Sequence, residues 1–144
     1  MSRTSRLLCV FYALVALGAL VATWSQNIAH FQAGRSFPME YLQDLTVNAA
    51  ARSFSVDLGF LLLAGTGLMV AEARRLGIRF VWLYVLLGFA IAISVTFPLF
   101  LIAREMRLAK TESTASAVKF TVSDVIGLVV VTAVVLGMCA YILT

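Results

Sequence analysis

Residues 48–110 read NAAARSFSVDLGFLLLAGTGLMVAEARRLGIRFVWLYVLLGFAIAISVTFPLFLIAREMRLAK, and this stretch decides the fold. Its first apolar segment, 53–71, carries one ionised side chain, Asp57; its second, 80–103, carries none. At 1.5 Å per residue, helices over these segments reach about 28 and 36 Å, against a hydrocarbon layer of roughly 30 Å. Between them lies Glu72-Ala-Arg-Arg-Leu-Gly-Ile-Arg79, a charged turn too short to let the helices do anything but run antiparallel, side by side. The reading is a transmembrane hairpin.

Composition agrees. The chain has 144 residues, 62% of them hydrophobic and 12% charged, about half the charged share of a soluble domain. A chain this small cannot hide so much apolar surface in its own core, so lipid must solvate the exterior. The net charge of +4 is spread over loops and helix ends, without the aromatic-interleaved basic patch of a nucleic-acid binder. Cys9 and Cys139 lie in apolar segments and read as small hydrophobes; no Cys/His cluster calls for a metal or any other cofactor.

Outward from the hairpin, residues 7–24 form an apolar run behind Arg3 and Arg6. It is longer than a usual signal-peptide core and has no clear cleavage site, so it reads as a retained first span ending at the interfacial anchor Trp24. In the polar segment 25–52, Ser36-Phe-Pro-Met-Glu40 resembles a helix start, and Tyr41, Leu42 and Leu45 share one face. A short amphipathic helix at the membrane surface is the expectation. Residues 125–143 form a fourth span, with Asp124 just before it and Ser123 as the expected N-cap. The expected fold is therefore all-α: a single-domain integral membrane four-helix bundle with spans at about 7–24, 53–71, 80–103 and 125–143.

Small residues suggest how the spans pack. Gly67-x3-Ala71 in the second and Gly88-x3-Ala92-x3-Thr96 in the third let helices approach closely, and these two faces are expected to meet. Pro98 removes a backbone donor and frees the Ser94 carbonyl, which predicts a kink there. With straight spans the basic residues nearly balance. Arg3, Arg6, Arg74, Arg75 and Arg79 fall on one side; Arg35, Arg52, Arg104, Arg107, Lys110 and Lys119 fall on the other. The positive-inside rule does not choose an orientation on that count, and only the usual dominance of the first helix favours both termini inside.

The segments from Asn48 to Leu58, Glu72-Ala-Arg-Arg-Leu-Gly77, Trp82-Leu-Tyr84 and Phe97-Pro-Leu-Phe-Leu-Ile-Ala-Arg-Glu105 occur in an order that resembles a bacterial family of small membrane proteins, domain of unknown function 2834. The likeness runs over roughly 7–108. It implies an integral protein of about three spans in the bacterial cytoplasmic membrane, with no activity or ligand to carry over; residues 125–143 are an addition to that pattern.

Asp57 is the sharpest candidate for chemistry, as a proton donor or coupling site, because a carboxylate inside a span is costly and tends to find a partner. Arg52 is its expected counter-ion, and Asn48, Ser94 and Thr96 complete the candidate ligand-binding set. Arg74, Arg75 and Arg104 are candidates for lipid head groups. His30 is the sole histidine and lacks metal-ligand spacing; it joins Glu40 or Asp44 only if the first loop folds back. The leading function is non-enzymatic: binding a hydrophobic ligand, another membrane protein or a second copy within the bilayer. A lipid or isoprenoid enzyme with Asp57 as acid, and a small oligomeric transporter coupled through Asp57, are the alternatives.

Overall fold

The computed structural model describes residues 1–34, 39–110 and 121–143. Six helices are present among them: α1 (Arg3–Gln32), α2 (Met39–Asp44), α3 (Ala49–Leu76), α4 (Val81–Ala90), α5 (Ile93–Lys110) and α6 (Val122–Leu143). Three are long and apolar enough to cross a membrane: Arg3–Gln32, Ala49–Leu76 and Val122–Tyr141. The Ser36–Glu40 helix start is answered by α2, though residues 35–38 lie outside the described set.

Local chemistry sets both ends of α3 and the start of α6. The Asn48 side chain accepts from the Ala51 amide at 2.8 Å and so caps α3. At the other end Gly77 adopts left-handed backbone (φ 64), and the Ile78 amide donates to the Ala73 carbonyl at 2.9 Å. This is the αL termination that glycine permits, with Ile78 tucked against the core behind it. The cap of α6 is Thr121 rather than the expected Ser123. The Asp124 amide donates to Thr121 Oγ1 at 3.3 Å while Asp124 Oδ2 accepts from the Thr121 amide at 2.8 Å, a reciprocal capping box.

The expected third span, 80–103, is two helices. The chain breaks at Ile91–Ala92 and doubles back. The Tyr84 and Phe100 rings lie 5.7 Å apart, whereas sixteen residues of unbroken helix would separate them by about 24 Å. A Cβ on Gly88 would stand 3.1 Å from Thr96 Oγ1. As the residue number rises along α4 it falls along the facing part of α5, so the two are antiparallel. The ten residues of α4 extend about 15 Å, enough to enter a bilayer but not to cross it.

Helix α5 runs through Pro98 without interruption. The break falls six residues earlier, where the Ala92 carbonyl accepts the amides of Val95 (3.1 Å) and Thr96 (3.2 Å) and starts a new helix. Pro98 is the sixth residue of α5, past its first turn, and so offers no amide to the Ser94 carbonyl.

Helix directions follow from three contacts. Glu72 meets Arg104, and Gly65 meets Phe97, at the same sequence offset, so α3 and α5 are parallel. His30 lies beside Asp44, and four residues link Asp44 to α3, so the end of α1 and the start of α3 share one end of the molecule. The start of α1 therefore reaches the other end, so that α1 runs antiparallel to α5. Helix α1 packs most extensively against α5, and Met69, Ala73, Val81, Val85 and Phe100 form the buried core between α3, α4 and α5.

Two further expectations are overturned. Gly67 has nothing within 4 Å and faces outward; Gly65 and Gly88 make the close approaches, to Phe97 and Thr96. Along α3 the core direction is fixed by Met69 and Ala73, and Gly67 points well away from both. The packing of the helices also differs from the expectation: α1, α3 and α4 all pack against α5. Helix α6 shows an exposed face in every direction, its Gly127 and Gly137 touch nothing, and it stands apart from the core. The first helix continues eight residues beyond Trp24, which is half-buried rather than terminal.

Phe80, the residue before α4, is the described non-glycine with left-handed backbone (φ 61), and no side chain caps the helix it opens. A bulky residue in that region stores about 1–2 kcal/mol. Phe80→Asn, which tolerates the conformation, is expected to raise the unfolding free energy by about 1 kcal/mol in detergent-based denaturation; a loss of stability would show that the exposed ring contributes more than the strain costs.

Candidate functional site

A network of charged side chains gathers at one end of the bundle. Arg104 Nε donates to Glu72 Oε2 at 2.6 Å, and Arg104 Nη1 donates to Glu105 Oε1 at 3.2 Å. Arg75 joins from the outside, its Nη1 3.2 Å from Glu72 Oε1. The carboxylates are the sheltered members: the side chains of Glu72 and Glu105 are 12% and 8% exposed, that of Arg104 30%, and that of Arg75 65%. A guanidinium fork shared by two sheltered carboxylates is charge-assisted and geometrically specific. Glu72 comes from the last turns of α3 and Arg104 from the second half of α5, so the pair ties together the helices between which α4 is inserted.

Sequence spacing alone puts these charges at opposite ends of a straight hairpin. Turning 80–110 back brings them to one end, and Arg104, expected at lipid head groups, instead commits its guanidinium to Glu72 and Glu105. Nothing in the spacing announces a partner thirty-two residues away. The available signal is that Arg104 and Glu72 both stand at the edge of apolar runs, where an unpaired charge is costly.

The other candidates are scattered. Asp57 is exposed on the outer face of α3, among the exposed Phe54, Leu58, Phe60 and Leu61. Arg52 does not reach it: its Nη1 donates to the Thr46 carbonyl at 2.8 Å. Asn48 caps α3, as above. Ser94 is exposed, while Thr96 is buried against Gly88, its hydroxyl 3.4 Å from the Ala92 carbonyl. Arg74 is exposed and lines a groove beside the α3–α4 turn. Asp57, Thr96 and Arg104 are therefore brought to three different places.

The first loop does fold back onto α1, although not over Asp57. His30 Nδ1 lies 3.6 Å from Asp44 Oδ2, and the Tyr41 ring stands edge-on to the imidazole, with centroids 5.6 Å apart. These contacts seat α2 against the end of α1. No group of three or more potential metal ligands occurs among the described residues.

Residues 11–106 match the family model described as "Protein of unknown function DUF2834". No curated protein and no solved structure matches the chain. The matched region takes in most of α1, all of α3 and α4, most of α5 and both Glu72 and Arg104, and stops short of α6.

Proposed function

The chain belongs to the DUF2834 family of unknown function, and we propose that it is a non-enzymatic integral membrane protein that binds another membrane-embedded chain through the outer face of α3. The placement of Asp57 carries this reading. The carboxylate stands two turns inside a helix long enough to span, on a face of Phe54, Leu58, Phe60 and Leu61 that no other element covers among the described residues. Left against hydrocarbon, a carboxylate at that depth costs up to about 3 kcal/mol. A polar group on a neighbouring chain removes that penalty. Gly67 and Ala71 continue the same open side of α3 and allow close approach.

The exterior supports the bilayer as solvent: Leu14, Phe60 and Phe89 are 64%, 67% and 71% exposed. The folded-back hairpin also supports an orientation. It collects Arg3, Arg6, Arg74, Arg75, Arg79, Arg104, Arg107 and Lys110 at one end and leaves Arg52 at the other, among the described residues. By the positive-inside rule the basic end faces the cytoplasm.

Two experiments test this. With a photo-crosslinking amino acid in place of Phe60, irradiated cells should yield protein adducts that Asp57→Ala abolishes; adducts to lipid alone would contradict a protein partner. In a background lacking Cys9 and Cys139, single cysteines at Arg79 and Met106 should react with an impermeant thiol reagent from the same side of the membrane, and one at Thr46 from the opposite side. A straight third span requires 79 and 106 to label from opposite sides.

A further inference from the structure

The turn between α3 and α4 forms a groove of about 600 Å³, lined by Ala73, Arg74, Gly77, Arg79, Phe80 and Trp82 among others. Its charge is one-sided. Neither Arg74 nor Arg79 has a carboxylate partner among the described residues, because Glu72, the nearest acid in sequence, is engaged by Arg75 and Arg104. Two guanidinium groups with free donor sets therefore border one concavity. Beside them Phe80 and Trp82 project outward, 76% and 55% exposed. Cations next to outward-facing aromatic rings, at the end of a helix of spanning length, are the composition of a membrane–water boundary.

We infer that this groove binds the phosphate of an anionic phospholipid head group, with Arg74 and Arg79 on the phosphate oxygens and Phe80 and Trp82 against the upper acyl chains. Guanidinium matches phosphate in shape as well as charge. A free phosphate uses the arginines but leaves both aromatic rings in water, whereas a lipid uses all four side chains. The site is separate from the Asp57 face, and it rests on the membrane reading above.

Trp82 reports on its own site. In a Trp24→Phe background, the full chain is reconstituted in vesicles of phosphatidylcholine and phosphatidylglycerol in which one lipid at a time carries brominated acyl chains that quench indole fluorescence. Brominated phosphatidylglycerol should quench Trp82 well beyond its share of the lipid, an enrichment of roughly five- to thirtyfold for two arginines near the surface. Arg74→Gln with Arg79→Gln should reduce the enrichment to random, and Arg75→Gln should leave it unchanged. Equal quenching by both lipids in the unaltered chain, or an enrichment that survives the double substitution, overturns the site. Loss of the enrichment with Arg75→Gln alone also overturns it, by showing bulk charge to be the cause. Inorganic phosphate that abolishes the enrichment at constant ionic strength overturns the lipid assignment in favour of a free anion. Absence of quenching by either lipid is a different failure, that of the membrane reading itself.

Discussion

Arg104→Gln is expected to lower the unfolding free energy by about 3 kcal/mol, because it leaves two sheltered carboxylates facing each other without their shared cation. Glutamine keeps most of the side-chain volume, so the loss reports charge and hydrogen bonding more than packing. Arg75→Gln removes the exposed partner of the same Glu72 and should cost less than about 1 kcal/mol. Adding Glu72→Gln to Arg104→Gln should recover part of the loss, since one of the two carboxylates that shared the guanidinium is then neutral. Denaturation in mild detergent micelles measures all of these. An Arg104→Gln protein as stable as Arg75→Gln would mean that the network does not hold α5 to α3.

The same residues show where sequence reading succeeds and where it stops. The short helix after Pro38 and the long apolar helices are local events, written in a few adjacent side chains, and they are legible there; the caps at Asn48 and Gly77 are as local, though Asn48 reads first as a ligand-binding candidate. The reversal at Ile91–Ala92 is not. Its residues are as apolar as their neighbours, and hydropathy records how far an apolar run extends, not which way it travels. Once the reversal is missed, errors follow from it: Arg104 goes to the wrong end, the basic residues fall evenly on the two sides, and Gly67 is assigned to the face of Gly88 and Thr96, which instead pack against each other. Asp57 is legible as an unusual residue, but its outward direction depends on which face of α3 meets α5, and that is set by the packing of Met69 and Ala73.

Gly88→Leu is the second change with a large expected effect. Even a Cβ there meets Thr96 Oγ1 at 3.1 Å, the Ile93 side chain at 3.5 Å and that of Leu62 at 3.8 Å. A full leucine must push α4 away from α5 and from α3 together, with an overpacking cost of about 1–3 kcal/mol. Gly67→Leu is the matched control. It adds the same atoms to open space and gains up to about 1 kcal/mol in helix propensity. The two substitutions should therefore move the melting temperature in opposite directions. On a straight third span facing Gly67, both would destabilise, and that result would restore the packing expected from the small-residue pattern.

The central claim is that 80–110 forms two antiparallel helices joined at Ile91–Ala92. The most direct measurement is a nuclear Overhauser contact between the aromatic protons of Tyr84 and Phe100 in the unmodified protein, selectively labelled and held in detergent micelles. Rings 5.7 Å apart and nearly perpendicular should give a strong cross-peak. No such peak, with both rings assigned and the helix continuous through Ala92, would place them about 24 Å apart and contradict the account.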